Sequence, residues 1–214
     1  MGLFPNKTTG VELLAHQAAA HGEATALVGS SYDCRLKIAA RVFLYHGYIE
    51  ATADTNPGSF LIQLRPEAGT STVAEHWITH TKKTAAGVAT VATEAMTATE
   101  PAGTTVLACA STTGFVAGDK MYIRDGTTLA DSEWATIHSI VTDTSVNIVD
   151  GLTTGKDSSD VLWGNASTWV VDLDLTTTAS LRVVWSHGGT TGADGHVKAL
   201  AVFYDEANMQ RDED

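Results

Sequence analysis

Eight histidines and a scatter of aspartates are the residues of this 214-residue chain whose types could do chemistry. His76 and His80 have the HxxxH spacing that puts two metal ligands on one face of a helix. The sequence around them alternates with a period of two, and on a strand the two imidazoles would sit about 13 Å apart, too far to share one zinc ion. The HExxH signature is absent. Asp172 and Asp174 share a strand face, and Asp119, Asp125 and Asp150 fall in turns. Carboxylates of this kind bind Ca²⁺, but no segment has the spacing of an EF-hand loop. There is no Gly-x-Ser-x-Gly elbow, and Ser139 beside His138, like Ser186 beside His187, would point to the opposite face of a strand from its neighbour. The run Gly188 to Gly195 is rich in glycine but joins two strands, so it reads as a hairpin loop and not as a phosphate cradle. The expectation is a protein that is not an enzyme, with no catalytic residue, no metal and no cofactor.

Charge narrows the partners. The chain carries 13 Lys+Arg against 25 Asp+Glu, a net charge of −12. A protein that holds nucleic acid by its phosphates needs a basic face, and this balance does not provide a large one. Hydrophobic residues make up 43%, enough for a packed core. No apolar run reaches the roughly 18 residues of a membrane span, and the start, Met1 to Lys7, lacks the basic and apolar regions of a signal peptide. Neither nucleic acid nor a membrane is expected as a partner. At the other end, Asp205, Glu206, Asp212, Glu213 and Asp214 stand against Arg211, which reads either as a solubilising tail or as a contact for a basic surface. Cys34 and Cys109 have no CxxC partner; two reduced, partly buried thiols are the favoured reading, with a bridge between them left open.

The elements that must position these residues are strands. Charged residues are only 18%, and about 30 threonines and about 30 alanines take their place. A branched Cβ packs well on a pleated surface and loses χ1 freedom in a helix. Residues 1–23 stand apart: Val11, Leu13, Leu14 and Ala18 are near helical spacing but Gln17 interrupts the stripe, so the segment reads as an N-terminal arm, either with one short helix or as a disordered lead-in. From Ala24 the period is two. Strands are expected at Arg41 to Glu50, Ser59 to Arg65, Glu75 to Thr81, Trp169 to Leu175, Leu181 to Trp185 and His196 to Tyr204. Between them lie Thr104–Ala108, Lys120–Arg124, Glu133–Val141 and Ser145–Val149, shorter strands parted by turns such as Asp125-Gly126 and Asp150-Gly151. Good long strands on both sides of this block argue a small β-barrel over 104–164 inserted in one loop of a sandwich formed by 24–103 and 165–214. The fold class is therefore all-β: a jelly-roll-like antiparallel sandwich with an inserted small barrel and an N-terminal arm. Trp77, Trp169 and Trp185 are expected in the sandwich core, Trp134 in the barrel core and Trp163 at the junction; a sugar-binding module would instead expose two or three aromatics on one face.

The stretch Ala110-Ser111-Thr112-Thr113-Gly114-Phe115-Val116-Ala117-Gly118-Asp119-Lys120-Met121-Tyr122-Ile123-Arg124-Asp125 resembles a recurring element of tailed-phage virion proteins. So do Ser132-Glu133-Trp134 and Asp150-Gly151-Leu152. The flanking pieces, Phe60 to Leu64 with Trp77 and Leu181 to Trp185, are similar to the sandwich strands of phage decoration and cement proteins. The resemblance covers about two thirds of the chain. It implies a virion structural protein on the outer surface of the capsid, whose partners are the major capsid protein and further copies of itself, in a trimer; a tail, baseplate or fibre component, or a module binding host-surface glycan, are the alternatives. On this reading the N-terminal arm reaches a neighbouring subunit, with Leu3, Phe4, Val11, Leu13 and Leu14 as its contact residues.

Overall fold

A computed structural model describes residues 10–20, 26–48, 58–66, 77–84, 92–186 and 194–205. Within them the chain forms β1 (Val11–Ala20), β2 (Leu27–Val28), β3 (Tyr32–Asp33), β4 (Lys37–Tyr48), β5 (Ser59–Pro66), β6 (Ile78–Thr84), β7 (Thr93–Ala95), β8 (Val106–Ala108), β9 (Lys120–Arg124), β10 (Glu133–Val141), β11 (Ser145–Ile148), β12 (Val161–Asp174), β13 (Thr178–Ser186) and β14 (Asp194–Asp205). The one helical turn among the described residues is a 3-10 turn at Leu129–Asp131. The all-β class expected from the period-two patterning is the class observed.

Two antiparallel layers make the sandwich. One runs β1-β14-β4-β12 and the other β2-β13-β5-β6, with β3 also on β13. Alternation does the sorting, because successive side chains leave a strand on opposite faces. Val42 and Leu44 of β4, Phe60 and Ile62 of β5, Leu181, Val183 and Trp185 of β13, and Val197, Ala199, Ala201 and Phe203 of β14 all point into one core and are almost wholly buried. Burying a side chain of this size contributes about 1.5–3 kcal/mol. The end of β12 and its exit behave the same way: Leu173 and Leu175 are buried while Asp172 and Asp174 face solvent.

The N-terminal segment departs from the expectation. Residues 11–20 are neither an arm nor a helix but β1, an edge strand laid antiparallel on β14. Irregular register between Glu12 and Leu14 and between Leu14 and Gln17 lets the adjacent Leu13 and Leu14 both reach the core. The pairing satisfies backbone groups that a free arm would leave to water.

The middle of the chain curls into a small barrel. From the β4 edge the order continues β12-β9-β10-β11-β8, and β7 pairs with β12. A bridge between Met96 and Cys109 then brings the end of β7 beside the end of β8, so the strip returns on itself. Its interior holds Met96, Leu107, Cys109, Phe115, Met121, Ile123, Ile137, Val146, Ile148, Leu152 and Leu162. Gly114 and Gly118 sit at φ +86° and +94° in the turns that feed β9, backbone regions that a Cβ disfavours. Met96 and the adjoining Ala92 belong to this core, upstream of residue 104.

Strand β12 belongs to both bodies. Its first residues, Val161 to Trp163, pair with β7 and β9 of the barrel, and Ser167 to Asp174 pair with β4 of the sandwich. A register shift between Trp163 and Ala166 marks the crossing.

Candidate functional site

The proposed contact residues sort into two groups. Leu3 and Phe4 lie outside the described residues. Leu13 and Leu14 are 1% exposed and belong to the sandwich core, and the half-buried Val11 packs against it. Leu13 and Leu14 are thus committed to the core of their own chain and offer little surface to a neighbour, while Val11 keeps part of its side chain in solvent. The physical reason is the pairing of β1 with β14.

The crossing of β12 gathers a cluster of aromatic side chains. Tyr122, Trp163 and Ala166 form a small buried cluster with Trp134 and Val161 packed on it. The Tyr122 ring lies 4.6 Å from Trp134, 5.7 Å from Trp163 and 4.8 Å from the imidazole of His196, the last pair nearly parallel. Trp163 thus stands at the junction, as expected. Trp134 does not enter the barrel interior; it closes the junction from outside, 5.4 Å from Tyr45 of the sandwich. Burial pushes the phenols of both Tyr45 and Tyr122 up, so neither ionises in the neutral range.

Neighbouring strands send two histidines to opposite faces. His196 enters the junction, while His46, paired with Val197, enters the sandwich core and stacks on Trp185 at 5.0 Å. Trp185 in turn meets Phe60 edge-on at 4.8 Å. His80 is exposed and its Nδ1 lies 2.8 Å from the Thr81 hydroxyl; His76 and His187 lie outside the described residues. No group of three or more His, Cys, Asp or Glu that could hold a metal ion occurs among the described residues.

The turn and face aspartates have structural partners. Asp172 takes a bidentate pair of hydrogen bonds from Arg41, 2.6 and 3.0 Å long, which holds its carboxyl below the usual range. Asp174 accepts from the backbone N–H and hydroxyl of Thr176, with the same effect. Asp125 accepts the N–H groups of Thr127 and Thr128. Asp160, 2% exposed, accepts those of Gly126 and Asp157.

One buried charge went unread in the sequence. The ammonium of Lys156 is fully enclosed in the barrel. It donates to the Asp131 carbonyl at 2.7 Å and to the Thr154 hydroxyl, and it stands 3.4 Å from Glu133 Oε1 and 3.8 Å from Asp125 Oδ2. Glu133 is itself tied through Oε2 to the backbone and hydroxyl of Thr153. A buried lysine surrounded by four oxygens is a tethered cation that pins the 125–133 and 153–157 segments together. Its signal in the sequence is a single Lys among Asp125, Asp131, Glu133, Asp157 and Asp160, and a lone basic residue is too common to have marked it.

Trp77 also differs from its expected place. It is only half-buried, on the outer face of the thinner sheet, with the guanidinium of Arg182 4.2 Å and that of Arg65 5.7 Å from its ring. The cysteines are both free and both buried, Cys34 in the sandwich core and Cys109 in the barrel core. Burial pushes the Cys34 thiol up to about 12 and that of Cys109 upward as well.

The arrangement therefore holds two β bodies together through the shared strand β12 and an aromatic plug. That is the class the fold defines: an all-β, two-body protein with a jelly-roll-like sandwich. Comparison with known protein families and with curated proteins finds no match for this chain.

Proposed function

We propose that the protein is a non-enzymatic structural component of a tailed-phage virion, a decoration or cement protein seated on the outer capsid surface with the major capsid protein as its partner. The observation that carries the reading is the segment 110–125, whose likeness to a virion element falls on residues with a defined structural task. Gly114 and Gly118 make the positive-φ turns, Phe115 and Met121 fill the barrel, and Tyr122 fills the junction. The net charge of −12 favours the outside of a shell, away from packaged DNA. The mechanism is linkage: a body that binds only the assembled shell stabilises it, and several copies acting together multiply weak contacts.

The test is co-sedimentation of the purified protein with DNA-free expanded capsids. Binding that saturates at a fixed ratio to the capsid protein, and that raises the temperature at which the shells open, is the expected outcome. Failure to bind expanded shells sinks the cement reading and leaves the tail, baseplate or fibre reading. One observation favours a third, glycan-binding reading, namely the half-buried Trp77 with its two arginines. Glycan-array binding lost in Trp77→Ala would support it.

A further inference from the structure

We propose that Lys156 and Glu133 condense into an amide, an internal covalent bond that closes the barrel. The groups this step needs converge on the Lys156 amine. Its side chain is 0% exposed and lies between the carboxylates of Glu133 and Asp125, themselves 15% and 11% exposed. Two of its N–H bonds go to the Asp131 carbonyl and the Thr154 hydroxyl. The third direction of the nitrogen is left for the carboxylates, with Glu133 Oε1 at 3.4 Å and Asp125 Oδ2 at 3.8 Å.

The two carboxylates are held alike, one oxygen clamped by a turn and the other beside the amine. Glu133 Oε2 accepts from the N–H and the hydroxyl of Thr153, both at 2.9 Å. Glu133 Oε1 is buried with no hydrogen-bond partner among the described residues. Asp125 Oδ1 accepts the N–H groups of Thr127 and Thr128, which leaves Oδ2 to the amine. A buried ion pair made only for stability closes to about 2.7–2.9 Å. Here the amine stands off from Oε1 and spends its hydrogen bonds elsewhere.

The step balances with no further reactant. Asp125 Oδ2 takes a proton from the ammonium, and the freed lone pair attacks Glu133 Cδ. As the N–C bond forms, charge gathers on Oε2, where the two donors of Thr153 stabilise it. Asp125 passes that proton to Oε1 and then a second one from the nitrogen. The Cδ–Oε1 bond breaks and Oε1 leaves as water. The amide keeps one N–H, the opposite charges of amine and carboxylate cancel, and Asp125 ends as the carboxylate it began as. Fixed juxtaposition replaces a bimolecular encounter. The ion pair described above is the state that precedes the bond, and the inference does not rest on the virion reading.

The test is mass spectrometry of the full chain, incubated folded at neutral pH, then denatured and digested with trypsin. No Lys or Arg lies between Asp125 and Lys156, or between Lys156 and Arg182. An unlinked chain therefore yields 125–156 and 157–182. The linked chain should resist cleavage at Lys156 and yield 125–182 lighter by one water, with fragmentation placing the bond between Glu133 and Lys156. Asp125→Asn should slow the loss of water by about 100-fold or more, as when a proton-transfer group is removed. Thr153→Ala keeps the N–H but loses the hydroxyl, and should slow it by about 100-fold as well. Thr153 is exposed, so the far-UV circular dichroism of that variant should match wild type. A wild type that still gives 125–156 in full after long incubation, a bond formed to Asp125 in place of Glu133, or equal rates in both variants and wild type overturns the proposal.

Discussion

The backbone of Gly47 lies against the ring of Tyr122, so close that a Cβ on Gly47 would stand 2.7 Å from Tyr122 Cγ. Gly47 belongs to the sandwich and Tyr122 to the barrel, and the contact sets how closely one body sits on the other. Neighbouring Tyr122 is buried completely and cannot swing away without opening the aromatic plug. Gly47→Ala should therefore destabilise the chain by about 1–3 kcal/mol, the range for overpacking a filled site. Urea unfolding followed by tryptophan fluorescence reads this, and a midpoint equal to wild type would show that the junction yields.

Lys156 should be indispensable to the barrel. Lys156→Met leaves Glu133 and Asp125 facing each other without a cation, and breaking a buried pair from one side costs about 3–5 kcal/mol. Hydrogen exchange should quicken first in 125–133 and 153–157, the segments that the ammonium joins. Protection unchanged there would show that the turns hold without it.

Deleting residues 1–20 should unfold the sandwich and not merely trim it. The deletion removes Leu13 and Leu14 from the core and exposes the edge of β14. Leu13→Ala alone should cost about 2–5 kcal/mol, as for other aliphatic truncations in a filled core. A deleted chain with native circular dichroism and unchanged thermal midpoint would restore the arm reading.

Two opposite limbs of pH dependence follow from the carboxylates and the thiol. Hydrogen bonds from Arg41, Thr176 and Ser159 lower Asp172, Asp174 and Asp157, and those from Arg35 lower Asp33 to about 2. Depressed acids contribute stability above their unfolded values near 3.9, and it is lost as pH falls through the folded ones. Asp172→Asn should flatten that acid limb. At the alkaline end Cys34, raised by burial to about 12, favours the folded state below its ordinary value near 9.0, and that contribution fades as pH rises from there toward 12. Thiolate absorbance of the native protein should titrate far above pH 9. Both cysteines should react with Ellman's reagent only after unfolding, with no disulfide in the intact mass.

The strands were legible wherever both the period and the turn chemistry were clear. Lys120–Arg124 and Glu133–Val141 match the structure end to end, and Ser145–Ile148 differs by one residue. Alternation in Phe60-x-Ile62 and Leu181-x-Val183-x-Trp185 also identified the core face. Residues 11–20 were misread because Val11, Leu13 and Leu14 fit a helical stripe about as well as a strand whose register slips. Only pairing with β14, a long-range event, decides between the two. Trp134 and Trp77 were misplaced because an aromatic on a strand tells which face it takes but not what covers that face. The Lys156 hub brings together turns up to 31 residues apart, and no local pattern encodes it. Ser59 to Arg65 was placed correctly, yet nothing in it signals that Arg65 and Arg182 meet over Trp77.

The shared strand β12 also decides how the molecule carries a load. A pull on the barrel arrives along the axis of that strand, and the eight residue pairs from Ser167 to Asp174 against β4 meet it side by side. A ladder stressed in this way must shear many backbone bonds together, whereas a hinge at the same place would let them peel one after another. Strand β12 thus ties the two bodies in series, with Asp172 clasped by Arg41 near its anchored end. Extension by an external force should reach the sandwich before it can separate the barrel from it.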